Sequence, residues 1–233
     1  MRSKTTFVIP VVQPPDRIPA RETWDVKNIV VIDNTTLGSW ETICAERGWA
    51  HVTFHRNIGV AAAWNLGAQW SFFDGSSFVA FVSSSVWWEH GLSSFAAVIK
   101  EGADSRGLLT ELAFHASAWN VRVFEQIGWF DESPYPAYNE DTDWLRRLEL
   151  SGLHVPPERA ETVMKPPNVM PKWGPSATCE DAVSLKSGAV NVDFAKNERW
   201  YRAKWGGPKH DEQYEKPYGL WVPLSYAPTM RDW

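Results

Sequence analysis

Three carboxylates lie within four consecutive positions of the chain, at Glu140, Asp141 and Asp143. They follow a loop that contains two prolines and precede a segment with helical spacing, so they are predicted to occupy the first turn of a helix. A carboxylate delivered to the surface by a rigid bend is suited to act as a general base, taking a proton from an attacking hydroxyl. The structural alternative is that Asn139 caps the helix and the acids interact favourably with its dipole.

The elements that must position these acids follow an alternating pattern of apolar runs and helical segments. This pattern predicts an α/β fold with a mostly parallel sheet and helices on both faces. Strands are predicted at residues 7–12, 28–33, 50–54, 78–82, 108–110, 113–118 and within 155–163. Helices are predicted at residues 37–47, 60–73, 92–100, 120–127, from 140 onward and 193–204, with a loop at 166–188 and an extended tail from 206.

Composition and charge narrow the class of protein. The 233 residues are 44% hydrophobic and 22% charged, which suits one compact domain. The formal charge of −5 and the lack of a basic cluster argue against nucleic acid as the main partner. The apolar runs are too short for a transmembrane segment and the N-terminus has no secretory core, so a cytoplasmic protein is expected. Cys44 and Cys179 lie too far apart for a zinc or redox motif and are expected to be reduced.

Ligands of open parallel sheets bind at the carboxyl ends of the strands, so the residues there are candidate contacts. The candidate contacts to a bound nucleotide are Pro10, Val11, Val12, Asp33, Arg56, Asn57, Ser83, Ser84 and Ser85. Asp33 is placed to accept from a base or ribose, but an Asx-turn with the next two residues explains it equally well. Asn57 precedes a helix whose N-terminus suits a phosphate, and it is also a natural capping residue.

Four segments in this order resemble family 2 glycosyltransferases. Phe130-Asp131-Glu132 and the stretch from Glu140 to Arg147 are similar to the FDE and EDxDxxxR motifs of that family. Residues 56–67 are similar to the NxGxAxAxNxG stretch of rhamnosyltransferase-like members, two apolar runs match the first strands, and residues 204–208 resemble the tail of some bacterial and phage members.

The resemblance implies a GT-A type, Rossmann-like fold in one domain spanning residues 1–233. Residues 1–118 would form the nucleotide-sugar-binding half, 119–165 the acceptor and catalytic half, and 166–233 a loop, helix and tail. The implied reaction transfers a sugar from a nucleotide-diphosphate sugar to a hydroxyl of a glycan, lipid-linked or protein acceptor. Asp141 is the expected base in an inverting displacement, with Glu140 as the rival.

The sequence departs from the family motifs at two places, and both concern residues that would bind the diphosphate of the donor. Members place an Asp-containing metal motif after the fourth strand, where this chain has serines at 83–85, so a Mn²⁺ or Mg²⁺ site is in doubt and its ligands are unassigned. The acids Asp141 and Asp143 do not replace that motif, because helical neighbours two apart point to different sides. Lys165 stands where many relatives have a His and is a candidate phosphate contact or a surface lysine; Lys204 and Lys209 are competing cations.

The chain contains 15 tryptophans, a count that fits sugar binding or simply core filling. Trp87 and Trp88 follow the fourth strand, and Trp144 lies beside the expected base, so these three are predicted to contact donor sugar or acceptor. Trp200, Trp205 and Trp221 are predicted to attach the C-terminal segment to the domain.

Two other classes of function remain open from the sequence. A catalytically silent glycosyltransferase-like module would bind nucleotide or sugar without turnover. A nucleotidyltransferase on a related sheet ranks lower, because residues 13–17 contain no glycine for a phosphate loop.

Overall fold

The structure, a computed structural model, describes residues 4–36, 38–101, 107–110, 113–152, 171–173 and 193–219. The strands are β1 (Thr5–Val11), β2 (Ile29–Asp33), β3 (Ala50–Thr53), β4 (Phe78–Val82), β5 (Val86–Trp88), β6 (Gly107–Thr110), β7 (Ala113–Asn120) and β8 (Pro171–Trp173). The α-helices are α1 (Glu41–Arg47), α2 (Val60–Phe73), α3 (Leu92–Glu101), α4 (Arg122–Ile127), α5 (Glu140–Leu150) and α6 (Phe194–Trp205). Short 3₁₀ helices occur at Pro15–Arg17, Pro19–Thr23 and Pro217–Gly219.

Six strands form the main sheet in the order β3-β2-β1-β4-β7-β6. Strands β3, β2, β1 and β4 are parallel, β7 is antiparallel to β4, and β6 is antiparallel to β7 and so shares the common direction. The prediction of a mostly parallel α/β sheet is therefore confirmed. The strand order changes direction between β1 and β4, which is where such sheets open a crevice for ligands.

The sheet is covered on both faces by two hydrophobic clusters. One cluster packs α1 and α3 against alternate residues of the central strands, and the other packs α2, α4 and α5 against the remaining ones. All five residues of β2 and all five of β4 are buried. This double burial explains why these strands are continuous apolar runs in the sequence.

Helix α2 lies close to β1 because its contact residue has no side chain. A Cβ at Gly67 would stand only 2.2 Å from a methyl carbon of Val8, which is inside any van der Waals contact. Glycine therefore sets the distance between helix and sheet, at the cost of helix propensity.

The predicted elements match the observed ones closely in the first half of the chain. The differences are local. Helix α1 begins at Glu41, after a turn, and the prediction missed β5 and the 3₁₀ helices. It also missed β8, which lies within the predicted 166–188 loop and pairs with β5. The strand predicted within residues 155–163 lies outside the described residues.

Candidate active site

The ends of β1 and β2 are joined by backbone hydrogen bonds that shape the floor of the candidate site. The amide of Asn34 donates to the carbonyl of Val11 at 2.8 Å, and the side-chain oxygen of Asn34 accepts from the amide of Ile58 at 3.3 Å. Pro10 and Val12 flank this junction and are partly exposed, whereas Val11 is buried. The floor thus offers backbone groups and the edges of Pro10 and Val12 to a ligand.

Asp33 is buried, and both of its carboxylate oxygens accept internal hydrogen bonds. Oδ1 accepts from the amide of Thr35 at 2.9 Å, which is the Asx-turn expected from the sequence. Oδ2 lies 3.2 Å from His51 Nε2 and 3.4 Å from the amide of Trp40. The carboxylate therefore organises the loop after β2, and a nucleotide contact by Asp33 stays a prediction.

Arg56 and Asn57 lie between β3 and α2. Asn57 Oδ1 accepts from the amide of Gly59 at 2.8 Å, and the Asn57 carbonyl accepts from the hydroxyl of Tyr135 at 2.8 Å. Gly59 has φ +87°, and a Cβ there would press on the Tyr135 ring, so glycine is required at this turn. Arg56 is exposed, and no ion pair to it occurs within the described residues.

The serines after β4 form a neutral loop. Ser83 Oγ and Ser85 Oγ are hydrogen-bonded at 2.9 Å, and Ser84 and Ser85 are buried. The amide of Ser83 donates to the carbonyl of His115 at 2.7 Å, so this loop meets β7.

These serines do not fit a divalent cation. Their hydroxyls are uncharged, and those of Ser83 and Ser85 are already paired with each other, whereas Mg²⁺ and Mn²⁺ favour carboxylate ligands. Across the described part of the chain, no group of three or more His, Cys, Asp or Glu side chains is arranged to hold a metal ion. The side chains gathered at this strand end can offer hydrogen bonds to a diphosphate, but they are poor metal ligands.

Glu140 and Asp141 are adjacent in α5 but differ in environment. Glu140 is only 4% exposed, and its Oε2 has no hydrogen-bond partner among the described residues. Burial, reinforced by the negative charge of Asp141, raises the pKa of Glu140 to about 8. Asp141 is half-buried, and its Oδ1 accepts from the amide of Thr142 at 2.7 Å. At neutral pH, Glu140 thus holds a proton and is inaccessible, whereas Asp141 is accessible.

His115 on β7 lies near Asp141. Burial lowers the pKa of the imidazole, and the negative charge of Asp141 opposes this effect only in part. His115 also adjoins Ser83 through the backbone hydrogen bond described above. The backbone of His115 therefore lies beside the end of β4, and its imidazole is within electrostatic range of the Asp141 carboxylate.

The start of α5 has an unusual backbone. Tyr138 has φ 79° and Asn139 has φ 75°, both in the left-handed region that non-glycine residues rarely adopt. Asn139 occupies the N-cap position but its side chain makes no capping hydrogen bond, so the expected capping role is wrong. These two residues directly precede the buried Glu140, and strained backbone of this kind occurs often at functional sites.

Asp143 anchors α5 from inside the protein. Its side chain is 0% exposed and pairs with Arg147 at 2.9 Å, one helical turn later. Arg147 also donates to the carbonyls of Ile127 and Trp129 at 2.6 and 2.8 Å. Asp143 and Arg147 are therefore structural, and Asp141, two positions earlier, points elsewhere as expected.

Side chains of helix α6 contact both the loop before α5 and α5 itself, and hold them in place. Lys204 Nζ lies 2.8 Å from Asp131 Oδ2 and 2.7 Å from Asp143 Oδ1, and Trp205 Nε1 donates to Asp143 Oδ1 at 2.9 Å. Asn197 Nδ2 donates to the carbonyl of Ala137 at 2.7 Å. The ammonium of Lys204 is already paired with these two carboxylates. The suggestion that it binds phosphate is therefore wrong. The attachment predicted for Trp205 is confirmed.

Asn65 of α2 holds the other end of the same loop. Its Oδ1 accepts from the amide of Phe130 at 2.9 Å, and its Nδ2 donates to the carbonyl of Phe130 at 3.0 Å and to Glu132 Oε1 at 2.8 Å. The asparagine within the 56–67 stretch thus connects that motif to the Phe130-Asp131-Glu132 motif.

The predicted aromatic contacts need correction. Trp144 is 0% exposed, stacks on Phe130 and donates to the carbonyl of Gly128, and Trp88 is 1% exposed and stacks on Phe95. A sugar needs an accessible ring face, so neither tryptophan is part of the site; each is a core residue. Trp87 is half-buried and stays a candidate. Lys165, Cys179 and Trp221 lie outside the described residues.

A cleft of about 710 Å³ opens beside α2. Its walls include Phe54, Arg56, Asn57, Gln69, Glu132 and Tyr135. The lining contains none of Pro10, Asp33, Ser83 and Asp141, so the cleft adjoins the strand-end site without coinciding with it.

The sequence alone missed His115 and the double pairing of Lys204. His115 carries no local signal, because it reaches Ser83 only through the antiparallel register of β4 and β7.

Cys44 is buried, and burial together with the charge of Asp33 raises the pKa of its thiol to about 12, so it is an unreactive core residue. In the described part of the chain, no helix is both long and apolar enough to cross a membrane.

Comparison with known proteins gives distant likenesses to solved structures. No protein-family model and no curated protein matches the chain. S. aureus TarS 1–349 is 15% identical over 64% of this chain and 56% of its own, with a TM-score of 0.48. The complex of TarS 1–349 with UDP-GlcNAc has the same identity and TM-score, over 64% of this chain and 54% of its own.

Glucosyl-3-phosphoglycerate synthase from Mycobacterium tuberculosis, in complex with Mn²⁺, UDP-glucose and phosphoglyceric acid, is 13% identical. That likeness covers 65% of this chain and 67% of the synthase, again with a TM-score of 0.48. Likenesses at this level do not establish a common family.

Proposed function

We propose that the chain is a GT-A type glycosyltransferase that moves a sugar from a nucleotide-diphosphate sugar to an acceptor hydroxyl. The observation that carries the proposal is the contrast between the two acids at the start of α5. Asp141 is half-buried and acts electrostatically on His115, whereas Glu140 is buried and protonated at neutral pH. Of these two acids, only Asp141 is then available to accept a proton, which agrees with the role that the sequence resemblance implies.

The proposed reaction is a single displacement. The acceptor oxygen attacks the anomeric carbon, its proton passes to the Asp141 carboxylate, and the bond to the nucleotide diphosphate breaks on the opposite side. The configuration at that carbon is therefore inverted. The donor lies over the ends of β1, β2, β3 and β4, near Pro10, Val12, Arg56 and the serine loop at residues 83–85. Because those serines do not fit a metal ion, donor binding is expected to survive EDTA.

A thermal-shift panel tests the donor. UDP, GDP, TDP, CMP and their common sugar conjugates are each measured with Mn²⁺, Mg²⁺ or EDTA. A ligand of the native state raises stability by about RT ln(1 + [L]/Kd), so a true donor stands out from its relatives. No shift with any of them contradicts the proposed donor site.

Two variants then test the base, using release of nucleotide diphosphate as the readout. Asp141→Asn should lower turnover by about a hundredfold to ten-thousandfold while leaving donor binding unchanged. Glu140→Gln copies the protonated side chain and should lower turnover far less. If the two effects are reversed, Glu140 is the base and the assignment is wrong.

A second candidate is a silent module that binds nucleotide without turnover. Two features favour this alternative. Ser83 and Ser85 carry no charge and pair with each other, and the carboxylate of Asp33 already accepts internal hydrogen bonds, so neither is free to bind a donor. Selective nucleotide binding with no product from any conjugate, and no effect of Asp141→Asn, would select this alternative.

A further inference from the structure

The cleft beside α2 has the chemistry of a carbohydrate site. Phe54 is 46% exposed and presents an aromatic ring to the cleft, and Tyr135 supplies a second aromatic side chain. Aromatic faces pack against the apolar C–H face of a pyranose. At about 710 Å³, the cleft is within the range of about 300–1,000 Å³ that is usual for small-molecule sites.

The polar groups of the cleft carry both signs of charge. Arg56 and Glu132 both line it, and no ion pair joins them within the described residues. A guanidinium donates hydrogen bonds and a carboxylate accepts them, which together suit hydroxyl groups that do both. An anionic ligand would meet the charge of Glu132, so a neutral saccharide fits better than a phosphate.

Two of these side chains are held in place before any ligand arrives. Asn65 donates to Glu132 Oε1 at 2.8 Å, which fixes the carboxyl group while leaving Oε2 for a ligand. The Tyr135 hydroxyl donates to the Asn57 carbonyl at 2.8 Å, which fixes the ring. Groups fixed in this way lose little entropy on binding, so they favour a specific site over an incidental groove.

We infer that this cleft binds a neutral saccharide, which is the carbohydrate part of the acceptor; the acceptor role rests on the function proposed above. The saccharide occupies a place different from the donor nucleotide, because the cleft shares only Arg56 and Asn57 with the predicted donor contacts. Because most of the cleft lining lies outside the predicted donor contacts, we expect the saccharide and UDP to bind at the same time.

The test is an NMR titration of the full chain with cellotetraose, maltotetraose, chitotetraose and xylotetraose, with and without saturating UDP. At least one oligosaccharide should bind. Phe54→Ala should weaken that binding about fivefold, which corresponds to the contribution of about 1 kcal/mol expected from a stacked aromatic ring. Phe73→Ala is the matched control, because Phe73 is 80% exposed on α2 but does not line the cleft.

A second variant keeps the interpretation clear. Glu132→Gln retains an oxygen for Asn65 but removes the charge, and it should also weaken saccharide binding. Binding by none of the four probes, equal loss in Phe73→Ala and Phe54→Ala, or displacement by UDP would overturn the inference. If saccharide binds as predicted but no nucleotide sugar is turned over, the site stands and the proposed transferase function fails.

Discussion

Replacing Glu140 by glutamine should make the protein more stable, and increasingly so as the pH rises. The pKa of Glu140 is raised from an ordinary value of 4.5 to about 8, first by burial and then by the charge of Asp141. Between these two values the unfolded chain releases a proton that the folded protein retains. The contribution of Glu140 to stability is therefore complete below about pH 4.5 and is lost as the pH rises through 8.

The magnitude follows from the size of the shift. Each pKa unit corresponds to about 1.4 kcal/mol, so the cost of folding with Glu140 is about 3 kcal/mol at pH 7 and about 5 kcal/mol above pH 8. Glutamine cannot ionise and avoids this cost, while it matches the protonated acid in shape. The difference in unfolding free energy between Glu140→Gln and wild type should then be near zero at pH 4 and grow to these values.

Urea denaturation at pH 4 to 8.5, followed by tryptophan fluorescence, measures this difference. Groups such as His115 titrate in both proteins, so they cancel when the two curves are subtracted. Glu125→Gln, at an exposed position of α4, is the matched control and should give a flat difference. A flat difference for Glu140→Gln would refute the reasoning, because it would mean that the buried carboxyl ionises normally. In an Asp141→Asn background, the difference should level off at a lower pH and a smaller value, because the charge that helps to raise the pKa of Glu140 is removed.

Two further variants test how the site is held. Lys204→Met leaves Asp131 and the fully buried Asp143 without their shared cation, so it should cost about 3 kcal/mol of unfolding free energy in urea titrations. The exposed pair of Arg202 and Glu198 gives the control, since Arg202→Met should cost less than about 1 kcal/mol, and equal losses would show that the Lys204 network is not special. Gly67→Ala forces a methyl group onto Val8 and should cost about 1–3 kcal/mol in the same titrations, a loss that adding Val8→Ala should partly reverse. No recovery in the double variant would contradict the close contact.

The sequence by itself determined the sheet and most of its helices. Helix α2 and strand β4 have the boundaries predicted from apolar pattern, because fully buried strands and packed helices leave a strong local signal. The sequence also marked the acids at the start of α5 and the 56–67 stretch as functional candidates. Both are local motifs, in which the chemistry and the spacing lie within a few residues of each other.

Only the tertiary structure decided the surroundings of each candidate. From the sequence, Asp141 was the expected base and Glu140 its rival, and the fold separates them into an accessible carboxylate and a buried, protonated group. Trp144 and Lys204 resembled ligand contacts, but the fold places the first in the core and gives the second two carboxylates from distant segments. The physical reason is that burial and long-range pairing depend on residues many positions away, so no local pattern of the chain encodes them.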